Sequence, residues 1–396
     1  MKKYFVIFLL FFSFSFLVSA EELEINSDKA ILINLNDDSI LFEKNSKEKA
    51  SVASLTKIMT AIVVLDNVDI DTKVTVINED WKGLREEDAT TCDYSLNKEY
   101  TYLDLLYGLL LPSGADCANA LARNVDKDNF INLMNKKVEE LDMKDTHFSN
   151  VTGFDDKENY STAYDMSLLM KYAIKNETFK KIISTPKYTT GDGVAVYNTL
   201  NVYSDREDVV IPNVVGGKTG STDDALTCLA TIAESDGVNY LLVTLNAKKP
   251  GQLLDAKNIY TYYMNNYGYK TLLRKGDVIK KINTLYSKND ITLIKSLKDY
   301  NYYLKNDYDE SKVNIEYDGL EKLSFRNKKG EKIGTLKIYY DDKLLEEDDV
   351  VLSRKIDFSL KEFFVSNLYA FITAFILILV LLYYLFFKNN KKRDII

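Results

Sequence analysis

Ser54 and Lys57 stand three residues apart in Ser51-Val52-Ala53-Ser54-Leu55-Thr56-Lys57. Side chains at that spacing share one face of a helix, so a hydroxyl and an amine can meet there. A serine hydroxyl is a weak nucleophile until a base takes its proton. A lysine serves as that base once desolvation or a neighbouring cation lowers its pKa toward neutrality, and the start of a helix favours developing negative charge. The scarcity of histidine points the same way. His147 is the only one in the chain, so a multi-histidine metal site is impossible and any Ser-His-Asp triad must use that residue. By itself S-x-x-K is a common chance pattern, with a solvated helix start as the plain alternative. Two further elements change its weight: Pro112-Ser113-Gly114-Ala115-Asp116, at a loop that opens a second helix, and Gly216-Gly217-Lys218-Thr219-Gly220-Ser221-Thr222.

Around these residues the periodicities predict a mixed α+β domain. Ala30–Ile33 and Ile40–Phe42 flank Asn34-Leu35-Asn36-Asp37-Asp38 and read as strand, turn, strand. Leu55, Ile58, Met59 and Ile62 recur at helical spacing and place Ser54 at the first turn of a packed helix. Helices are expected over Tyr102–Leu111, Ala115–Asn124, Phe130–Leu141 and Thr162–Ile174, and strands around Gly193–Tyr197, Cys228–Ile232 and Tyr240–Leu245. Helices grouped beside an antiparallel sheet are the architecture this implies. Beyond Tyr269 the composition turns to Lys, Asp and Tyr with short alternating stretches such as Lys332–Tyr339, so a second, β-rich domain is placed at 272–358, after a first domain at 21–271. It offers no clustered nucleophile and base, which suits a spacer or interaction module.

With the order S-x-x-K, then Ser113, then Lys218-Thr219-Gly220 on the page, the chain resembles the low-molecular-weight penicillin-binding proteins. These are the D-alanyl-D-alanine carboxypeptidases of serine peptidase family S11, whose clan also holds the class A β-lactamases. The resemblance runs from about residue 24 to 358 and takes in Thr146-His147-Phe148-Ser149-Asn150-Val151-Thr152-Gly153 and Tyr160–Met166. It implies a serine β-lactamase/transpeptidase-like domain, antiparallel sheet with helical subdomain, followed by a small β-rich domain. It implies Ser54 attacking the carbonyl between two terminal D-alanines to form an acyl-enzyme, Lys57 accepting the proton and Ser113 relaying it to the leaving group. Lys218 would supply charge for the terminal carboxylate, Thr219 a hydrogen bond, Gly220 close approach, and the N–H groups of Ser54 and Ser221 the oxyanion hole. The implied partners are peptidoglycan pentapeptides ending in D-Ala-D-Ala and β-lactams as covalent inhibitors, with neither cofactor nor metal. One position departs from the family pattern: S-x-N in the second element is here Ser113-Gly114-Ala115, so the side-chain amide is missing. A catalytically weakened wall scaffold is therefore kept beside the hydrolase. A β-lactamase is the third reading, although no E-x-x-L-N stretch lies between Ser113 and Lys218.

The ends of the chain carry a topology. Lys2 and Lys3, an apolar run to Leu17 and Val18-Ser19-Ala20 read as an export signal over residues 1–20, the alternative being an uncleaved anchor. Leu368–Phe387 is 20 residues without a charge, enough to cross a ~30 Å hydrocarbon layer as a helix. A membrane segment is placed at 364–387 and a basic cytoplasmic tail at 388–396, with Lys388, Lys391, Lys392 and Arg393 setting the orientation. The catalytic domain would then lie outside the cell, held by a single membrane pass. Net charge is −8; two lysines near the start and three net positive charges in the tail leave −13 between, which argues against nucleic acid as a partner. Cys92, Cys117 and Cys228 lack C-x-x-C spacing and allow at most one disulfide; for Cys117 a small buried core residue is the expected role. His147, with no partner motif, is expected to be structural.

Overall fold

The computed structural model describes residues 23–203 and 206–393; the expected export signal lies outside them, as do the last three residues of the tail. The chain divides into two compact units that meet at Asn265/Asn266.

The first unit opens on the hairpin β1 (Lys29–Asn34) and β2 (Ser39–Lys44). Helix α1 (Thr56–Asn67) follows a single 3-10 turn, Ala53–Leu55. Its sequence is apolar nearly all round, and every residue from Thr56 to Val64 is buried, so it is the central core helix and not a surface one. A short ribbon, β3 (Lys73–Thr75) with β4 (Glu99–Thr101), brackets the loop that carries residues 82–98. Helix α2 (Tyr102–Leu110) starts at a reciprocal cap, in which the Thr101 hydroxyl accepts from Asp104 N and the Asp104 carboxylate accepts from Thr101 N. Then come α3 (Ala115–Asp126), α4 (Phe130–Glu140), α5 (Ala163–Ala173) and α6 (Glu177–Ile183). After a second ribbon, β5 (Lys187–Thr189) with β6 (Ala195–Tyr197), the chain forms β7 (Val214–Thr222), β8 (Leu226–Ser235) and β9 (Val238–Ala247) and ends in α7 (Gly251–Asn266).

The main sheet has the antiparallel order β2-β1-β9-β8-β7. The first hairpin is thus joined to strands more than 200 residues later, with Ala30 opposite Thr244 and Leu32 opposite Leu242. Asp236 and Gly237, both with positive φ, make the tight turn from β8 to β9, a geometry that matches the twist of the strands it joins. The consequence for the site is that β7 is an edge strand, with one side free for a ligand, and it carries Lys218-Thr219-Gly220-Ser221.

The second unit is a set of small antiparallel and mixed sheets. β10 (Tyr267–Leu273) pairs with β13 (Tyr300–Lys305); β11 (Val278–Leu285) lies between β12 (Ile291–Lys295) and β15 (Lys322–Ser324); β16 (Lys332–Tyr340) lies between β14 (Val313–Gly319) and β17 (Lys343–Val351). Alternate residues face a core built on Ile282, Ile294, Leu323, Leu336 and Ile338. Helix α8 (Leu360–Ser366) is capped by Ser359, and α9 (Leu368–Arg393) is apolar and exposed over Leu368–Phe386, 19 residues of mean hydropathy 2.5.

Candidate active site

Because α1 is buried through its first two turns, Lys57 is carried into the core, where its side chain is only 2 % exposed. Its ammonium nitrogen lies 3.0 Å from Ser54 Oγ and 2.5 Å from the Thr152 carbonyl oxygen. Burial lowers the Lys57 pKa to about 7, against an opposing pull from the carboxylate of Asp116. The expected meeting of hydroxyl and amine is therefore present, but Ser54 occupies the 3-10 turn that precedes the α-helix, with Thr56 its first α residue.

The Thr152 carbonyl is held in place by Asn150, whose side-chain oxygen accepts from the N–H groups of Thr152 and Gly153 and from the Thr152 hydroxyl. Gly153 has φ +85°, and a Cβ there would lie 1.9 Å from the Ala53 carbonyl oxygen, so only glycine lets this loop pass against the turn that carries Ser54. Asp155 then braces three segments: its carboxylate accepts from Ser51 and Thr222 hydroxyls and from Asp224 N. The stretch from Thr146 to Gly153 was visible in the sequence, but the use of a main-chain oxygen as the partner of Lys57 has no side-chain signature. His147 takes no part; its ring nitrogen meets the Glu158 carbonyl and its backbone pairs with Tyr160.

Ser113 sits at φ +74° in the turn before α3, nine-tenths buried, with its hydroxyl oxygen unpartnered. An unpaired buried hydroxyl is costly, so one facing a cleft marks a place where a ligand completes the hydrogen bonding. Ala115 is buried at the cleft wall and its N–H is taken by the Thr90 carbonyl. Neither polar residue nearby in sequence replaces the missing amide: Asn119 donates to the Asp80 carbonyl, and Asp116 turns back to accept from Cys92 N. Burial raises the Asp116 pKa to about 6.

Lys218 is fully buried on β7 and donates to the Thr219 carbonyl; burial, and then the nearby Lys57, push its pKa well below the ordinary lysine value. The Thr219 hydroxyl pairs with that of Thr199 at 2.7 Å. A Cβ at Gly220 would stand 3.2 Å from Ser54 N, so the edge strand passes close against the backbone of Ser54.

Two connected hollows meet at Ser54, Ser113, Thr90 and Ser221. One, of about 280 Å³, is lined by Thr199, Thr219, Gly220 and Thr227, with Lys249 as its single charged residue among those described. The other, of about 370 Å³, has Lys57 in its lining and is bounded by acidic residues of the 82–98 loop. Sequence reading did not find Lys249, Thr199 or that loop; they reach the cleft through tertiary folding alone. The cysteines also resolve here. Cys92 and Cys117 form a disulfide that fastens the loop to α3, so Cys117 is buried as half of a bridge, and Cys228 is buried and free.

Residues 16–249 match the family model for D-alanyl-D-alanine carboxypeptidases. The chain belongs to this family. Residues 267–357 match the model for the C-terminal domain of penicillin-binding protein 5. The D-alanyl-D-alanine carboxypeptidase DacF of Bacillus subtilis (strain 168) is 27% identical over 336 residues, 83% of this chain and 85% of that protein. Among solved structures, the Streptomyces K15 DD-transpeptidase is 30% identical, with TM-score 0.55 over 60% of this chain and 97% of that one. Penicillin-binding protein 5 from Haemophilus influenzae, 24% identical, shares the fold with TM-score 0.63 over 84% of this chain and 98% of that one. The architecture expected from the sequence, a penicillin-binding catalytic fold followed by a β-rich domain and an apolar C-terminal helix, is that of this carboxypeptidase.

Proposed function

We propose that this chain is a serine-type D-Ala-D-Ala carboxypeptidase that shortens peptidoglycan pentapeptide stems through an acyl-enzyme on Ser54. The observation that carries the reading is the 3.0 Å approach of the Lys57 amine to the Ser54 hydroxyl inside a core that keeps the amine near neutrality. Ser54 Oγ forms a bond to the carbonyl carbon between the two D-alanines while its proton passes to Lys57 Nζ. The oxyanion is taken by the N–H groups of Ser54 and Ser221. When the C–N bond breaks, the proton travels from Lys57 by way of the Ser113 hydroxyl to the departing amine. Water then attacks the ester carbon, its proton going to Lys57; the bond to Ser54 Oγ breaks as Lys57 returns that proton to the serine, and the shortened peptide leaves.

Lys218, fully buried on β7, has its own pKa lowered by burial and then by the nearby Lys57. Lys249 is the cation that borders the hollow beside Thr219, where the terminal carboxylate of the leaving D-alanine would lie. β-Lactams present a carbonyl and carboxylate of the same spacing and would acylate Ser54. The apolar helix Leu368–Phe386 would hold the enzyme at the outer face of the membrane, the basic residues that follow remaining inside.

Ala115 bears on rate and specificity and leaves nucleophile and base intact. The direct test measures D-alanine released from a pentapeptide together with covalent labelling by tagged penicillin. Wild-type protein should release D-alanine and label; Ser54→Ala should do neither, a loss of at least about three orders of magnitude in turnover. Labelling of Ser54→Ala at the wild-type level overturns the nucleophile. Labelling without D-alanine release leaves the protein a penicillin-binding scaffold.

A further inference from the structure

The β-rich unit pairs its basic residues in one place and leaves them unpaired in another. Around β16 and β17 the lysines meet acids: Lys298 with Glu346 and Asp348, Lys332 with Asp349, Lys337 with Glu347. Two segments depart from this. Residues 325–330, the turn after β15, carry Arg326, Lys328 and Lys329 and no acid. Residues 353–362, which lead from β17 into the first turn of α8, carry Arg354, Lys355 and Lys361 against Asp357 and Glu362. All six bases are exposed, and none has an ion-pair partner among the described residues. Six bases less two acids give these segments +4, in a chain that is otherwise acidic between its expected signal and its tail.

Folding joins the two segments into one surface. The Gly330 N–H donates to the Leu352 carbonyl and the Leu352 N–H to the Glu331 carbonyl. The rings of Phe325 and Phe358 meet edge to face, with centroids 4.8 Å apart. From Phe358 the aromatic contacts run on toward the membrane helix. Phe363 of α8 lies 5.8 Å from Phe358, 5.1 Å from Tyr286 in the turn after β11, and 6.1 Å from Phe371 in the first turn of α9. The Ser359 N–H is held by the Tyr286 carbonyl, which fastens the start of α8 to the β-rich unit. Phe325, Phe358 and Phe364 all remain more than a third exposed. Unpaired cations beside half-exposed rings, continuous with an apolar helix, suit the boundary between headgroups and acyl chains: the cations meet lipid phosphates and the rings meet the upper hydrocarbon.

We propose that these six bases, with Phe325 and Phe358, form a docking surface for anionic phospholipid headgroups, so that the β-rich unit rests on the bilayer that α9 crosses. The inference rests on the membrane-spanning reading of Leu368–Phe386 and on none of the catalytic assignments. Continuity with that helix, through Phe363 and Phe371, is what selects a lipid surface as the occupant. A few exposed bases bind a membrane reversibly, and stable anchoring takes a second signal. The surface therefore orients a chain that α9 already holds and does not retain one that lacks the helix.

The test places the full chain, carrying Phe325→Trp, in nanodiscs whose lipid acyl chains are brominated. Bromine quenches indole emission only at short range, and Trp81, the single tryptophan of the chain, gives a background measured with the unsubstituted protein. Discs of phosphatidylcholine alone are compared with discs of about one-third phosphatidylglycerol. At about 0.05 M salt, quenching of the Phe325→Trp probe should be about threefold greater in the anionic discs, and the difference should vanish at about 1 M salt, where the screening length is about 3 Å. Adding Arg326→Gln/Lys328→Gln/Lys329→Gln should remove most of the difference at low salt. Equal quenching in the two discs at low salt, or a difference that survives either 1 M salt or the three substitutions, overturns the surface. Elution of the protein with the discs reads the helix separately. Protein that elutes with them yet shows no lipid-dependent quenching overturns the surface and leaves the anchor standing; protein that elutes apart from them overturns the anchor, and the surface with it.

Discussion

In the proposed mechanism a lysine with 2 % of its surface exposed serves as a base because two opposing influences hold its protonation states close in energy. Burial disfavours the ammonium, and Asp116 favours it. Only the neutral amine can take the Ser54 proton, so kcat/KM should climb as pH rises through about 7, with Lys57 titrating from its protonated, inactive form. Asp116 sets where that limb falls. Asp116→Asn removes a negative charge that stabilises the ammonium, so the Lys57 pKa drops and the acid limb moves to lower pH. A pH profile of D-alanine release from both proteins reads the shift directly; a limb that stays put, or moves alkaline, sinks the coupling. As candidates, Ser54, Lys57, Ser113 and Lys218 were all legible from three short motifs, because each is a chemically distinctive side chain at fixed spacing. Asn150, the Thr152 carbonyl and Lys249 were not. They serve through a main-chain oxygen, a turn and a rim position, none of which leaves a pattern in one sequence.

The elements that carry the site were legible to within about three residues where their periodicity was strong: α2 to α5, the opening hairpin, β8 and β9 all lie where apolar spacing puts them. The misses have a common cause. Residues 82–98 have no period, and α7 mixes Tyr, Asn and Leu so evenly that no apolar face stands out; tertiary contacts shape both. Among the links that fasten the 82–98 loop, the Thr90 carbonyl accepts from Ala115 N, the Asp116 carboxylate accepts from Cys92 N, and the Cys92–Cys117 bridge closes 25 residues of chain. A closed loop of that length contributes about 3 kcal/mol by restricting the unfolded chain. For a unit of this size that corresponds to a melting temperature lower by roughly 6–12 °C after reduction. Thermal unfolding of the full chain with and without a dithiol reductant measures it, and Cys92→Ser/Cys117→Ser should melt near the reduced protein. An unchanged melting temperature on reduction shows that the two sulfurs contribute as thiols only.

At the scale of the whole chain the residues sort into an acidic, folded part and an apolar helix that has nothing to fold against. Leu368–Phe386 is 19 residues of mean hydropathy 2.5 with none of it buried in the protein, and at 1.5 Å per residue it matches the ~30 Å hydrocarbon core of a bilayer. A helix so apolar and so exposed would aggregate in water, which is why a lipid environment is the physical expectation for it. The catalytic fold buries its own core, from Ile31 and Val52 through Leu245, and the β-rich unit buries another around Ile338, so neither needs the helix to stay folded. Separating anchorage from catalysis gives the prediction. The full chain should sediment with membranes and resist extraction by carbonate, yielding only to detergent. A stop after Asp357 removes α8 and α9 together and should move the protein to the soluble fraction while D-alanine release per penicillin-labelled molecule stays within about twofold. Soluble full-length protein would sink the anchor, and truncated protein that labels fully yet has lost turnover on a short peptide would show that the helix serves the chemistry as well as the tether.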